Sequence, residues 1–174
     1  EIEYSPEYFK NNGDIDILVN DYYYFKALTG ARSVNHKHMR ENDNGYNIQS
    51  KIKIGGIEIR FDIRFIGDDY VDSKWEKDML DRRINHTLKN DIIINIPNKL
   101  DELYSIIYHI IIQKSNPHKS KHIPRVQQLL RKSKIGIDLD FTNVISIRDF
   151  LDKYMNKNNY NYKKPLDKHV GFRI

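Results

Sequence analysis

Residues 48–65 constrain the fold more than any other stretch of this chain. Ile48 to Ile54 and Ile57 to Phe65 are rich in alternating apolar and polar residues and flank Gly55-Gly56, which predicts two antiparallel strands joined by a two-residue turn. Strand side chains alternate between faces, so the turn also sets the register. Ile54 then faces Ile57, Lys53 faces Glu58, Lys51 faces Arg60 and Gln49 faces Asp62. One face carries Ile48, Ile52, Ile54, Ile57, Ile59, Phe61, Ile63 and Phe65 and needs a covering layer. The other holds Lys51, Lys53, Arg60, Asp62 and Arg64, and a slip of one residue would exchange the two.

A second strand lies upstream, Gly13-Asp14-Ile15-Asp16-Ile17-Leu18-Val19. Asp14 and Asp16 project from one of its faces and Ile15, Ile17 and Val19 from the other. The turn-like Asn11-Asn12-Gly13 run offers a local reason for Asp14. No turn accounts for Asp62, which interrupts a strand with apolar neighbours. Like charges aimed at one spot call for a counter-ion, and carboxylate oxygens suit Mg²⁺ or Mn²⁺. Lys51 beside Arg60 is unfavourable in the same way unless an anion lies between them. Cationic side chains next to a carboxylate metal site are what phosphoryl transfer needs, so substrate phosphates are expected over this hairpin, against Lys51, Arg60 and Arg64.

Composition narrows the class. At 174 residues, with 39% hydrophobic and 30% charged residues, the chain is long enough to bury a real core and reads as a soluble globular protein. The formal net charge of +5 favours an anionic partner. Its basic residues are spread along the chain, without a basic tail. No cysteine is present, which excludes disulfides, zinc–thiolate sites and thiol catalysis. The longest apolar run, Ile106 to Ile112, falls far short of a membrane span, and a cytoplasmic location is expected. The first residue is Glu1, so functional residues upstream of it are also expected.

The remaining elements follow from caps and periodicity. Asn20-Asp21 caps a helix over Tyr22 to Ala31 that ends near Gly30, and residues 32–46 read as a mobile loop. Ser73 with Glu76 forms a capping box for a helix reaching about Lys89, with Trp75, Met79, Ile84 and Leu88 as its apolar stripe. Asp91 to Ile96 reads as a buried strand stopped by Pro97. Asn98 and Asp101 start a buried helix through Gln113, in which His109 is a satisfied core residue. A basic helix is expected over His122 to Ser133, another capped by Ser146 and Asp149 through Met155, and then a Tyr/Asn/Lys-rich tail that docking can order. The sum is an α+β (α/β) fold, with residues 1–97 as a catalytic core and 98–174 as a helical part packed on it.

At this point the residues carry a family resemblance. Asp14 and Asp16, followed by Asp62 on a separate strand, resemble the D-x-D plus third-carboxylate pattern of the nucleotidyltransferase superfamily related to DNA polymerase β. Gly13 to Val19, Asp62-Ile63-Arg64, Asp69-Tyr70 with Trp75, and Tyr108-His109 with Lys114 are similar to an uncharacterised nucleotidyltransferase-like group found in polysaccharide gene neighbourhoods and in large viruses. The Asn- and Lys-rich composition fits an AT-rich genome of that kind. The resemblance covers roughly residues 10–115. It implies a mixed β-sheet whose hairpin carries the third carboxylate, with helices on one face. It also implies two Mg²⁺ or Mn²⁺ ions held by Asp14, Asp16 and Asp62, and phosphate contacts that include Gly13, His109 and Lys114. The implied partners are an NTP and a small acceptor such as a sugar or sugar phosphate; nucleic acid is a possible but not favoured partner, and no membrane partner is expected.

One departure from the pattern bears on this. Residues 1–13 offer only Tyr4-Ser5-Pro6 and Asn12-Gly13 where the superfamily carries a Gly-Ser turn, so that turn lies upstream or nucleotide binding is altered. Two other readings stand beside the transferase. One is a non-catalytic nucleotidyltransferase-like domain that binds a nucleotide or a partner. The other is a PD-(D/E)-x-K nuclease built on Glu58-Ile59-Arg60 or Asp62-Ile63-Arg64.

Overall fold

The nine-residue strand β4 (Ile57–Phe65) is the axis of the sheet. On one side it pairs antiparallel with β3 (Gln49–Ile54), and on the other it pairs in parallel with β1 (Asp14–Val19). The computed structural model describes residues 14–33, 48–54, 56–88, 91–115, 117–133, 135–137 and 139–174. The phosphate contact expected of Gly13, and residues 34–46 of the expected loop, lie outside them. The hairpin register is the expected one in every pair, from Ile54↔Ile57 through Lys51↔Arg60 to Gln49↔Asp62. Arg32 and Ser33, expected in the loop, instead form a short edge strand β2 (Arg32–Ser33) against β3. The sheet order is β1-β4-β3-β2.

The helix α1 (Tyr22–Thr29) follows β1 and covers the apolar face of the sheet. Asp21 caps it by accepting from the Tyr24 N–H at 2.8 Å, and Gly30 ends it with φ 64°, a conformation that favours glycine. Tyr22 and Phe25 pack on Phe65 and Phe61, and with Ile17, Val19 and Ile63 they form a small core of their own. The opposite face of the sheet carries Lys51, Arg60, Asp62 and Arg64.

A second, larger core is helical. It joins α2 (Ser73–Asp81) to α3 (Lys99–Tyr108), α4 (Ile123–Lys132) and α5 (Val144–Asn158). Trp75, Leu103, Ile107, Tyr108, Ile110 and Leu151 are fully buried in it. α3 does not stop at Tyr108 but continues as a π-helical turn over His109–Gln113, so the chain stays helical through Gln113 as expected. Among the described residues the fold is therefore α+β, a small mixed sheet with five α-helices.

Several local expectations change. The N-cap of α2 is Asp72, one residue before Ser73, because its carboxylate accepts from the Lys74 N–H at 2.8 Å. Glu76 is thus released from a capping box. α2 ends at Asp81, and Ile84–Thr87 (β5) pairs with Ile93–Ile96 (β6) as a separate two-stranded ribbon. Ile93 is 63% exposed, so the expected buried strand at 91–96 is an exposed one that finds its partner in residues expected to be helical. Asn143, not Ser146, caps α5 by accepting from the Ser146 N–H.

The tail is docked. Tyr160 stacks on Trp75 at 5.4 Å, the Asn161 N–H donates to Asp72, and the Leu166 N–H donates to the Asp68 carbonyl. The Arg173 N–H donates to the Ile112 carbonyl. A β-carbon on Gly171 would lie 2.6 Å from the Gln113 carbonyl oxygen, so the closeness of this contact depends on glycine.

Candidate functional site

The charged face of the sheet gathers most of the candidate residues through strand pairing. In the β1–β4 ladder Asp14 stands opposite Arg60 and Asp16 stands opposite Asp62. Neighbouring strands lie about 4.8 Å apart, so two carboxylates sit side by side on one face, with Asp14 two residues along. Asp14 and Asp16 are exposed, and the Asp62 side chain is 13% exposed. Among the described residues no three of His, Asp and Glu are grouped so as to hold a metal ion as they stand.

Lys51 and Arg60 face each other as expected, and the anion between them belongs to the chain. The Lys51 Nζ donates to Glu58 at 2.8 Å, and the Arg60 Nε lies 3.9 Å from the same carboxylate. Glu58 therefore pairs diagonally with Lys51 rather than only across to Lys53. β2 adds Arg32 opposite Lys51, a cation missed because its stretch was read as loop.

Arg64 is placed differently from a free phosphate contact. Its guanidinium lies 3.7 Å from Asp62, 3.7 Å from Asp68 and 3.4 Å from Asp167, and it stacks over the Tyr70 ring at 4.0 Å. Its side chain is 11% exposed. One cation thus serves three carboxylates, two of which, Asp68 and Asp167, are almost fully buried.

A fourth carboxyl adjoins the group. Glu76, released from the cap, accepts from the Gly67 N–H at 2.8 Å and is buried next to Asp68. Burial first, and the Asp68 charge second, push the Glu76 carboxyl far above the usual carboxylate range. Glu76 is accordingly the protonated member of the pair at neutral pH. Gly67, with φ 88°, and Asp69, with φ 55°, form the tight turn that brings Asp68 under the sheet end.

His109 lies on the far side of Tyr70. Its Nδ1 is 3.0 Å from the Tyr70 hydroxyl and 2.8 Å from Gln113 Oε1, while Gln113 Nε2 donates to the Tyr70 carbonyl. His109 and Gln113 are the first and last residues of the π turn, four apart in sequence. Burial lowers the His109 imidazole to about 4, a shift partly offset by the Gln113 hydrogen bond and reinforced by Lys114, His122 and Arg64. Its contacts are those of a half-buried, hydrogen-bonded histidine inside the helix. Lys114 follows the π turn in extended conformation and is exposed.

Tyr70 was visible in the sequence as part of Asp69-Tyr70. Asp68 had a signal, an acidic turn directly after an apolar strand. Asp167 had none, because it lies 103 residues from its arginine. No family model, no curated protein and no solved structure matches the chain.

Proposed function

We propose that this chain is a metal-dependent nucleotidyltransferase that moves a nucleotidyl group from an NTP to a hydroxyl or phosphate of a small acceptor such as a sugar or sugar phosphate. The observation that carries the reading is the lateral pairing of Asp16 with Asp62, with Asp14 on the same face of the sheet. The donor chemistry fits, since carboxylate oxygens are what Mg²⁺ and Mn²⁺ take. Asp14, Asp16 and Asp62 would hold the two ions, which when bound polarise the phosphate and activate the attacking oxygen.

The chain's own cations have separate work. Lys51, Arg60 and Arg32 lie on the same face as the carboxylates and can neutralise a triphosphate, which would take the place Glu58 now holds. Positioning and charge neutralisation supply most of the catalysis in such a reaction. Arg64 supports this reading in another way. A nuclease of the PD-(D/E)-x-K type needs a cation free to act beside Asp62, and Arg64 is shared among three carboxylates.

The test is pyrophosphate release from each of the four NTPs with Mg²⁺ or Mn²⁺, over a panel of sugars and sugar phosphates. Release that disappears in Asp16→Asn and Asp62→Asn supports the transferase. Release that persists in both variants contradicts it. Hydrolysis of DNA would select the nuclease, and metal-dependent NTP binding without turnover would select a binding domain.

A further inference from the structure

Arg64 is the residue on which the candidate site and the C-terminal segment meet. An arginine beside a single carboxylate normally closes to about 2.8 Å and takes it bidentately. A partner held in that way would be a poor metal ligand. Here the guanidinium stands 3.7 Å from Asp62, and its shorter contact, 3.4 Å, is to Asp167. Asp167 is 1% exposed, and its other oxygen accepts from the His169 N–H at 3.0 Å, which fixes the carboxylate. The neighbouring Leu166 N–H is bound to the Asp68 carbonyl. Asp167 is thus anchored on both sides while it draws Arg64 away from Asp62.

We infer that Asp167 is a positioning residue for Asp62, acting through Arg64, so that residues 160–174 are part of the site and not an appendage. The inference rests on the nucleotidyltransferase reading. Without Asp167 the guanidinium turns to Asp62 as its nearest accessible carboxylate and competes with the metal for it. Asp68 cannot substitute, because it is buried beside Glu76 and faces Arg64 at 3.7 Å already.

The experiment measures Mn²⁺ binding to the full chain from the electron paramagnetic resonance signal of the free ion. The variants are Asp62→Asn, Asp167→Asn, Arg64→Gln and the last two combined. Asn at 167 is isosteric and still accepts from the His169 N–H, so the tail can dock. Tyr162→Phe serves as a control, because it removes the tail's hydrogen bond to Asp152 and does not touch Arg64. The expected result is Mn²⁺ binding by the parent, loss in Asp62→Asn and a weakening of roughly tenfold in Asp167→Asn, about 1.4 kcal/mol. That weakening should vanish when Arg64 is already Gln, and Tyr162→Phe should lower the melting temperature without changing Mn²⁺ affinity.

Asp167→Asn binding Mn²⁺ like the parent, while Asp62→Asn does not, would overturn the inference and leave the transferase reading standing. An Asp167→Asn effect that persists undiminished beside Arg64→Gln would also overturn it. A parent that binds no Mn²⁺ would bring down the transferase reading and this inference together.

Discussion

At the scale of single residues, two buried titratable groups set opposite pH dependences. His109 has a folded value of about 4 against an ordinary 6.5. Its contribution is full above pH 6.5 and is lost as the pH falls towards 4, because the unfolded state takes up the proton first. Glu76 is raised from 4.5 to about 9, so its contribution is full below pH 4.5 and is lost as the pH rises through that window. The slopes cancel between about 4.5 and 6.5, which leaves a net decline from pH 6.5 towards 9 of a few kcal/mol at most. Glu76→Gln keeps the hydrogen bond from the Gly67 N–H and has no proton to lose. Chemical denaturation at pH 6.5 and pH 8.5 should show a decline in the parent and none in the variant, and an equal decline in both would refute the assignment.

At the scale of elements, the hairpin register was legible because alternation and Gly55-Gly56 are both local, and each specifies the same pairing. The parallel partner β1 was legible only as a strand, since nothing local says which edge of β4 it joins. The 84–96 ribbon was misread for the complementary reason. Ile84 and Leu88 fit a helical stripe continuing from Trp75, but Asn85, His86 and Thr87 are weak helix formers and Ile93–Ile96 offers a partner. The register places Glu58 across from Lys53, and its diagonal reach to Lys51 shows how a flexible carboxylate settles a like-charge pair. If that contact stands where phosphates bind, Glu58→Gln should tighten NTP binding several-fold at low salt and the gain should shrink at high salt. Titration calorimetry at two ionic strengths measures this, and weaker binding by Glu58→Gln would count against phosphates over the hairpin.

At the scale of the whole molecule, two cores meet where the charged residues do. The sheet and α1 bury one small cluster, the helices bury the other, and α2 lies against β1 between them. Asp14 and Asp16 were legible as a pair because strand periodicity aims them to one face, and Asp62 stands beside them because β4 pairs with β1. Their surroundings were not. Asp68 and Asp167 come from a turn and the tail, and only the folded chain brings them to Arg64, with Glu76 of α2 beside Asp68. His109 could be read as a core histidine, while the π turn that pairs it with Gln113 has no sequence signature of its own.

The central claim is that Asp16 and Asp62 together hold metal for an NTP. Thermal melting of the parent, Asp16→Asn and Asp62→Asn with each NTP, with and without Mn²⁺, tests it most directly. A ligand that binds only the folded state at a hundredfold excess over its dissociation constant adds about 2.7 kcal/mol, enough to raise the melting temperature by several degrees. The account predicts that rise for at least one NTP, only with Mn²⁺ present, and only in the parent. A rise that needs no metal, or that survives in either variant, would contradict it.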